Sequence, residues 1–242
     1  MSETFLDGKV VVTQPEQGFR SGLDAVMLAA SIPARSGDSA LELGAGAGTA
    51  SLCLMARVQD IALTGVEIDP SLVELASANA AANGLQARFV AADIFCLPPE
   101  LKSDFDQVFC NPPFHGEGQV SPDAARAKAL SDGGQLSDWL RLGLQRTVSG
   151  GFFTTIIRAD RLAQALAALS GEGAKEGISV LPLWPKAGEP AKRVIVQVRK
   201  ASRAPFVLLP GLVLHQQNGA SSPEAEAVLR RGAALALSGA RL

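Results

Sequence analysis

The residues best suited to chemistry are Asn111-Pro112-Pro113-Phe114, directly after the predicted buried strand Phe105 to Cys110. Two prolines fix φ and remove two N–H donors, which leaves stiff, extended backbone. The Asn111 amide oxygen and the Pro112 carbonyl oxygen can together accept both hydrogens of an exocyclic –NH₂ group. Phe114 can stack on the attached planar ring. This pattern suits a conjugated amino nitrogen whose lone pair must be aimed at an electrophile, without a covalent intermediate. A proline-rich turn with no chemical role is the alternative.

A glycine loop precedes this segment, between a predicted strand and a predicted helix. Gly44, Gly46 and Gly48 alternate with alanines, and the acidic residue Glu42 stands just before them. Glycines at these positions permit positive φ and close approach of the backbone to a ligand, and the helix behind them offers unpaired N–H groups. The dinucleotide pattern requires a third glycine where this chain has Thr49. A tight strand–helix turn without a ligand is the alternative interpretation.

Acidic residues follow the next two predicted strands. Glu67, Ile68 and Asp69 close the second strand about 20 residues after the loop, where an acid can accept both hydroxyls of a ribose. Asp93 and Ile94 close the third, where a carboxylate could accept from an adenine amino group. Three successive strand ends with suitable groups predict a nucleoside pocket at the carboxyl edge of a sheet. A solvated carboxylate at a strand end is the alternative, especially for Asp69.

Strands alternating with helices of 10–14 residues indicate βαβ units and a mostly parallel sheet covered on both faces. The last quarter breaks this rhythm, because two β runs follow each other without a helix and predict a closing antiparallel hairpin. We expect strands at 39–43, 61–68, 87–91, 105–110 and 151–157, hairpin strands at 178–184 and 194–199, and helices at 22–32, 48–57, 70–83, 136–147 and 161–169.

One domain is predicted. It comprises an N-terminal extension over 1–38, a core of sheet and helices over 39–200, and a C-terminal segment over 201–242, without internal repeats. The length of 242 residues and the hydrophobic content of 47% suffice for one large folded core.

The formal net charge of −2 argues against a strongly basic nucleic-acid coat protein, but it hides an asymmetry. Residues 1–182 carry 13 basic and 21 acidic side chains, whereas residues 183–242 carry 9 basic and 3 acidic ones. An anionic partner is therefore expected towards the C-terminal quarter. A run around the predicted hairpin could contact phosphates, with solvated surface charge as the alternative: Lys186, Lys192, Arg193, Arg199, Lys200 and Arg203.

Several features predict a cytoplasmic protein that is neither metal-bound nor membrane-bound. Cys53, Cys96 and Cys110 are widely separated in apolar sequence, as is typical of small buried thiols in a reducing compartment. The N-terminal residues lack a signal-peptide pattern, and no apolar run approaches the roughly 20 residues of a membrane span. His115 and His215 join no cluster with metal-ligand spacing.

The glycine loop, Glu67, Asp93 and the Asn-Pro-Pro-Phe segment together resemble the S-adenosylmethionine-dependent methyltransferases of the seven-stranded Rossmann-like class. More narrowly, the chain resembles the small-domain enzymes that modify amino nitrogens. Gln14-Pro15, Gly18-Phe19-Arg20 and 22–30 are similar to the N-terminal signature of the bacterial tRNA (adenine-N6)-methyltransferases. The similarity runs from about Gly8 to 223–226, nearly the whole chain.

This resemblance implies strand order 3-2-1-4-5-7-6, strand 7 antiparallel, with an N-terminal helical extension. It implies S-adenosylmethionine as cofactor, with Glu67 at the ribose and Asp93 at the adenine amino group. The glycine loop, preceded by Glu42, would line the methionine moiety, with Arg20 and Asp24 near its amino-acid end. Asn111 would orient the target base and Phe114 would stack on it, with Asn111, Pro112, Pro113 and Phe114 together forming the catalytic segment. Ile68 and Ile94 complete the expected cofactor-binding set.

His115 follows the motif, and the same Asn-Pro-Pro-Phe-His string also occurs in the guanine-N2 methyltransferases of ribosomal RNA. We expect His115 to be a loop or base-edge contact, with a catalytic base as the alternative. We expect 116–134 to be a lid, with a passive surface loop as the alternative.

The predicted function is methyl transfer to an exocyclic amino nitrogen, with adenine N6 of a tRNA preferred. Guanine N2 of ribosomal RNA and a glutamine amide of a protein are the alternatives among enzymes. A nucleoside-binding protein that has lost catalysis is the alternative outside enzymes, and Thr49 disfavours a nicotinamide-dependent oxidoreductase.

Overall fold

The computed structural model describes residues 2–16, 20–113, 134–170 and 176–237. The N-terminal extension begins with a hairpin that the sequence reading did not anticipate. Strands β1 (Ser2–Phe5) and β2 (Val10–Thr13) pair antiparallel. Leu6 and Asp7 in the connecting turn have φ of 52° and 58°. Helix α1 (Leu23–Ser31) follows, so the expected helical extension is a hairpin plus a helix.

The central sheet alternates with helices as expected. The strands and helices of this region, in chain order, are β3 (Ser39–Leu43), α2 (Thr49–Arg57), β4 (Ala62–Glu67), α3 (Pro70–Ala82), β5 (Arg88–Ala91), β6 (Phe105–Cys110), α4 (Gly134–Gln145), β7 (Thr147–Arg158), α5 (Leu162–Ser170), β8 (Glu176–Lys186) and β9 (Arg193–Ser202). Short 3₁₀ turns lie at Ile94–Cys96, Pro99–Leu101 and Ala159–Arg161.

The strands lie side by side in the order β5, β4, β3, β6, β7, β9, β8. The pairs β5–β4, β4–β3, β3–β6 and β6–β7 are parallel, whereas β9 is antiparallel to both β7 and β8. Because β3 has β4 on one side and β6 on the other, successive crossovers leave it in opposite directions. Ligands of open α/β sheets bind at such a switch point, outside the carboxyl ends of the strands.

The prediction of seven strands is too low, since the described sheet has nine. Two short strands from the C-terminal segment, β10 (Val207–Leu208) and β11 (Leu212–His215), pair parallel with β8. Helix α6 (Pro223–Leu229) closes the described chain, with the Ser222 hydroxyl capping its N-terminus. No element is predicted here from the sequence, because the strands span only two and four residues and the helix only seven.

Two apolar layers cover the sheet. On one face, α1 and α2 pack over residues such as Ala40 and Phe109, and on the other α4 and α5 pack over Leu41 and Leu43. The alternation of burial partners along β3 follows from the two-residue period of a strand. Of the cysteines, Cys53 and Cys110 are buried as predicted, but Cys96 is exposed.

Among the described helices, none combines the length and apolar character needed to cross a bilayer.

Candidate active site

The predicted site residues converge on the carboxyl edge of the sheet. β3 ends at Leu43, β4 at Glu67 and β6 at Cys110, and the three strands are parallel neighbours. Carboxyl ends of adjacent parallel strands meet at one edge of the sheet. The glycine loop, Glu67 and Asn111 therefore border the same cleft above the switch point.

The glycine loop adopts backbone that requires glycine. Gly44, Gly46 and Gly48 have φ of 70°, 54° and 83°, in the left-handed region that other residues avoid. The Gly44 and Ala45 N–H groups donate to the Val66 carbonyl oxygen at 2.8 and 2.9 Å, which ties the loop to β4. A Cβ added at Gly46 would meet no described atom within 4 Å. The loop thus turns an open face, bare of side chains, towards the cleft.

Glu67 holds the loop and its own strand end in place. One carboxylate oxygen accepts from the Gly46 N–H at 2.9 Å, and the other accepts from Ile68 N–H at 2.8 Å and Asp69 N–H at 3.1 Å. Its side chain is half-buried, so lone pairs remain for a ligand hydroxyl. Ile68 is 53% exposed beside it. Asp69 instead caps α3 through Ser71, which favours the structural alternative for that residue.

Glu42 lies below the loop and is buried. Its carboxylate accepts from the Ser51 N–H at 3.1 Å and from the Ser51 hydroxyl. Desolvation by burial raises its pKa from 4.5 to about 8, against the hydrogen bonds from Ser51, and the negative charge of Glu67 adds to the rise. Glu42 is consequently protonated at neutral pH, and it joins the end of β3 to α2 rather than facing the cleft.

At the end of β5, the exposed apolar side chain is Phe95 rather than Ile94. Asp93 is exposed and accepts from the Phe95 N–H at 2.9 Å, while Ile94 is only 6% exposed and packs in the core. The predicted contact of Ile94 with a ligand can therefore come only from its backbone. Phe95, 51% exposed, faces the same edge as Ile68.

Trp139 on α4 is a site residue that the sequence reading missed. A Cβ added at Gly44 would lie 2.6 Å from Cη2 of Trp139, so the indole stands directly against the first loop glycine. The rings of Trp139 and Phe95 pack edge to face, with centroids 6.4 Å apart. Nothing in the sequence pattern distinguishes Trp139 from other core residues of an amphipathic helix, and only the fold brings it to the loop.

Asn111 follows β6 with its side chain half-buried, and its Oδ1 is a buried acceptor without a hydrogen-bond partner among the described residues. Buried carbonyl oxygens are normally paired, and an unpaired one costs free energy. Pro112 is buried and Pro113 exposed. The predicted roles of Phe114 and His115, and the segment 116–133, lie outside the described residues.

Arg20 and Asp24 are both engaged within the protein. Arg20 forms an ion pair with Glu3 of the N-terminal hairpin. Asp24, in the first turn of α1, accepts from Arg193 Nε at 2.8 Å, and both side chains are largely shielded from solvent. If Arg20 or Asp24 contacted the amino-acid end of a cofactor, it would do so while still paired with Glu3 or Arg193. The ion pair with Asp24 also makes Arg193 a poor phosphate contact.

The predicted basic run is divided between the two edges of the sheet. β9 runs opposite to β7, with Arg193 opposite Arg158 at the carboxyl edge and Arg199 opposite Phe152 near the other. Lys186 and Lys192 lie at the carboxyl edge. Arg199, Lys200 and Arg203 lie towards the opposite edge, where Arg199 donates to the Gly150 carbonyl oxygen and Lys200 to that of Gln145. An extended strand separates Lys192 from Arg199 by about 23 Å, so the run does not form one continuous surface. Which part of it contacts an anionic partner stays a prediction.

The open loop, the half-buried Glu67 and the exposed Ile68 and Phe95 fit a nucleoside joined to a small polar chain, as S-adenosylmethionine is. The fit rests on the bare cradle at Gly46 and on the unpaired Oδ1 of Asn111 at the end of the neighbouring strand β6. Among the described residues, no group of three or more His, Cys, Asp or Glu side chains is placed to hold a metal ion.

Comparison with known proteins agrees with this geometry. The model of the methyltransferase small domain matches residues 21–137. A ribosomal RNA small subunit methyltransferase C of Salmonella paratyphi B is 33% identical over 143 residues, covering 56% of this chain and 41% of that protein. The same enzyme of Salmonella newport is 34% identical over the same coverage. The chain thus spans less than half the length of these relatives.

Solved structures share the fold. A protein from Agrobacterium tumefaciens, described as a predicted O-methyltransferase, has a TM-score of 0.72 and 26% identity, covering 89% of this chain and 100% of that one. A T. thermophilus 16S rRNA N2-guanine methyltransferase, solved with AdoMet and guanosine, has a TM-score of 0.57 and 22% identity, covering 83% of this chain and 50% of that one. Residues 21–137 thus match the methyltransferase small domain, and the chain shares its fold with solved methyltransferases.

Proposed function

We propose that this chain methylates an exocyclic amino nitrogen of a base in ribosomal RNA, with guanine N2 as the first candidate. The observation that carries the amino-nitrogen chemistry is the buried, unpaired Oδ1 of Asn111 beside the glycine loop. The choice of ribosomal RNA follows the relatives, which are named as enzymes of the small-subunit RNA. The preference for adenine N6 of tRNA finds no support among them, and the guanine alternative takes its place.

In the proposed reaction, the cofactor supplies a methyl group on a positively charged sulfur, so the protein needs no covalent intermediate. The Asn111 Oδ1 and the Pro112 carbonyl oxygen accept the two hydrogens of the amino group. These hydrogen bonds favour a pyramidal nitrogen and direct its lone pair across the cleft. After transfer, the methylated nitrogen is acidic and loses one proton to water. Glu67 and Asp93 are proposed to hold the ribose and the adenine amino group of the cofactor.

Transfer of tritium from labelled S-adenosylmethionine into separate tRNA, ribosomal RNA and protein fractions, followed by nucleoside analysis, tests the proposed substrate. We expect label in ribosomal RNA, recovered as N2-methylguanosine. Label recovered as N6-methyladenosine in tRNA, or in protein glutamine, would replace the proposed substrate with one of the alternatives.

Substitution of Asn111 tests the mechanism. Asn111→Ala should bind S-adenosylhomocysteine within about twofold of the wild type and lose at least about 100-fold in kcat, because it removes an acceptor used only at the reacting nitrogen. Ser103→Ala, at an exposed position before β6, is a matched control for loss of a small polar side chain. Normal turnover by Asn111→Ala would refute the role of its amide.

We further propose that RNA phosphates lie along the carboxyl edge at Lys186 and Lys192, and not at Arg199, Lys200 or Arg203. β9 is two strands from β6, a separation of about 10 Å, so Lys192 lies close to the reacting groups. The Lys192 carbonyl oxygen accepts from the Ala159 N–H at 3.1 Å, which fixes the backbone while the side chain is exposed. Loops at the edge that carries the site are where a bound RNA strand would have to pass.

Lys192→Glu and Arg203→Glu form a matched pair for this surface, since each reverses one exposed charge on or beside β9. Lys192→Glu should weaken RNA binding and reduce the slope of log K against log salt by about 0.7–0.9 per lost phosphate contact. Arg203→Glu should leave the slope unchanged within error. Equal effects of the two substitutions would mean that the RNA does not distinguish the edges.

A further inference from the structure

The N-terminal hairpin lies outside the matched domain, which begins at residue 21, yet it is attached beside the glycine loop. Its attachment uses two asparagines of α3, Asn79 and Asn83. Asn83 Oδ1 accepts from the Val11 N–H at 2.8 Å, and Asn83 Nδ2 donates to the Val11 carbonyl oxygen at 2.7 Å. Each asparagine amide presents the donor and acceptor that a neighbouring strand would present.

Asn79 repeats this pairing two residues along β2. Its Oδ1 accepts from the Thr13 N–H at 2.8 Å, and its Nδ2 donates to the Thr13 carbonyl oxygen at 3.0 Å. The registers match, because residues four apart on a helix and two apart on a strand are both separated by roughly 6 Å. Helix α3 thus serves as the edge partner of β2 through side chains alone.

The two asparagines differ in one contact. Asn79 Nδ2 also donates to the Ala47 carbonyl oxygen of the glycine loop at 3.0 Å, and Asn79 is only 3% exposed. Asn83 makes no such contact; its second donor bond goes to the Asn79 carbonyl oxygen within α3. A single buried amide therefore joins β2, α3 and the loop that borders the cleft.

Directly after β2 ends at Thr13, the next residue forms a second pair of side-chain hydrogen bonds to the backbone. Gln14, 2% exposed, donates from Nε2 to the Ser21 carbonyl oxygen at 2.7 Å and accepts from the Ser21 N–H at 3.2 Å. Ser21 immediately precedes Gly22, the residue at the start of α1, and Asp24 lies in its first turn. The end of β2 is therefore connected by hydrogen bonds both to the glycine loop, through Asn79, and to the start of α1, through Gln14.

We propose that Asn79 is a positioning residue that fixes the cofactor loop to α3 and to the N-terminal hairpin, and that its hydrogen bond to Ala47 supports cofactor binding. The inference rests on the proposed function in so far as the loop binds S-adenosylmethionine. The hydrogen bond to the Ala47 carbonyl oxygen holds the loop in the conformation that leaves Gly46 open. Without it, the loop must be ordered by the ligand at the expense of affinity.

Asn79→Ala and Asn83→Ala test this coupling as a matched pair, since both remove one β2 attachment and only the first removes the loop contact. Asn79→Ala should raise the Kd for S-adenosylhomocysteine and the KM for S-adenosylmethionine by roughly tenfold, while kcat at saturation stays within about twofold. Asn83→Ala should leave both values within about twofold. Hydrogen exchange at the Val11 and Thr13 amides should show in both variants that β2 is loosened.

Equal Kd values in the two variants, with β2 loosened in both, would overturn the coupling. A wild-type protein that binds no S-adenosylhomocysteine would instead overturn the proposed function. If Asn79→Ala does not fold, Asn79→Asp retains the acceptor for the Thr13 N–H and removes the amide donors. It should show the same rise in Kd, and an unchanged Kd would overturn the proposal equally.

Discussion

Because Glu42 is buried, we expect its contribution to the free energy of unfolding to fall as the pH rises. Glu42→Gln should abolish this contribution to the pH dependence. The carboxyl group has a pKa near 4.5 when exposed and about 8 in the folded protein, chiefly because burial removes it from water. The folded state therefore binds this proton more tightly than the unfolded state does. The stabilisation is fully present below pH 4.5, is lost progressively as the pH rises to about 8, and changes no further above that.

The magnitude follows from the separation between the two pKa values. Each unit corresponds to about 1.4 kcal/mol, so raising the pH from 4.5 to 8 removes at most roughly 5 kcal/mol of the free energy of unfolding. Glutamine is neutral throughout and keeps an acceptor for the Ser51 N–H and hydroxyl. Any penalty from its extra amide donor is the same at every pH and leaves the slope unaffected.

Guanidinium chloride unfolding at pH 5, 6, 7, 8 and 9 measures this effect. The stability of Glu42→Gln relative to the wild type should rise by about 2–4 kcal/mol between pH 5 and pH 8 and then level off. Glu224→Gln, at an exposed position in α6, controls for loss of a negative charge. Parallel curves for wild type and Glu42→Gln would show that Glu42 ionises normally in the folded protein and would refute the reasoning.

Three further outcomes are expected. Gly44→Ala places a Cβ 2.6 Å from Trp139 at a φ of 70°. It should lower the free energy of unfolding in urea by about 2–3 kcal/mol and weaken S-adenosylhomocysteine binding. Gly37→Ala, with a φ of 88° and open space around the new Cβ, should lower the free energy of unfolding by only about 1 kcal/mol. The chain has two tryptophans and no tyrosine, so the fluorescence change on S-adenosylhomocysteine binding should vanish in Trp139→Phe and persist in Trp184→Phe. A thiol reagent should label Cys96 rapidly in the native protein but not the two buried cysteines, whose pKa values burial raises to about 12. Equal instability of the two alanine variants, a retained signal without Trp139, or fast labelling of more than one thiol would contradict these expectations.

The helix and strand pattern around the loop was predictable because local signals agree with the tertiary context. β3 spans 39–43 as predicted, α2 begins one residue after the predicted start, and α3 begins at Pro70. The hairpin β1–β2 was missed although Asp7-Gly8 stands between two short runs that include β-branched residues, a turn signal that could have indicated it. β10 and β11 are held mainly by their pairing with β8, which no local window reveals.

The site was predictable in its backbone and less so in its side chains. Glycines with positive φ and acids at strand ends carry recognisable spacing, and the structure brings Gly46 and Glu67 into direct contact. The division of the basic run has a topological cause: residues close together along β9 look like one cluster in sequence, but the strand carries them across the sheet. Trp139 and Asn79 act through contacts distant in the chain, so their residue types alone gave no signal.

The short strands at the far end of the sheet also bear on how the protein behaves at high concentration. Without the C-terminal segment, β8 would present an 11-residue edge with unpaired backbone groups, ready to pair with another chain. β10 and β11 cover it in pieces of two and four residues, and the Pro210-Gly211 step between them interrupts the ladder. The edge that remains is too short and too broken to template a further strand. The C-terminal segment therefore protects the native sheet against strand-mediated self-association.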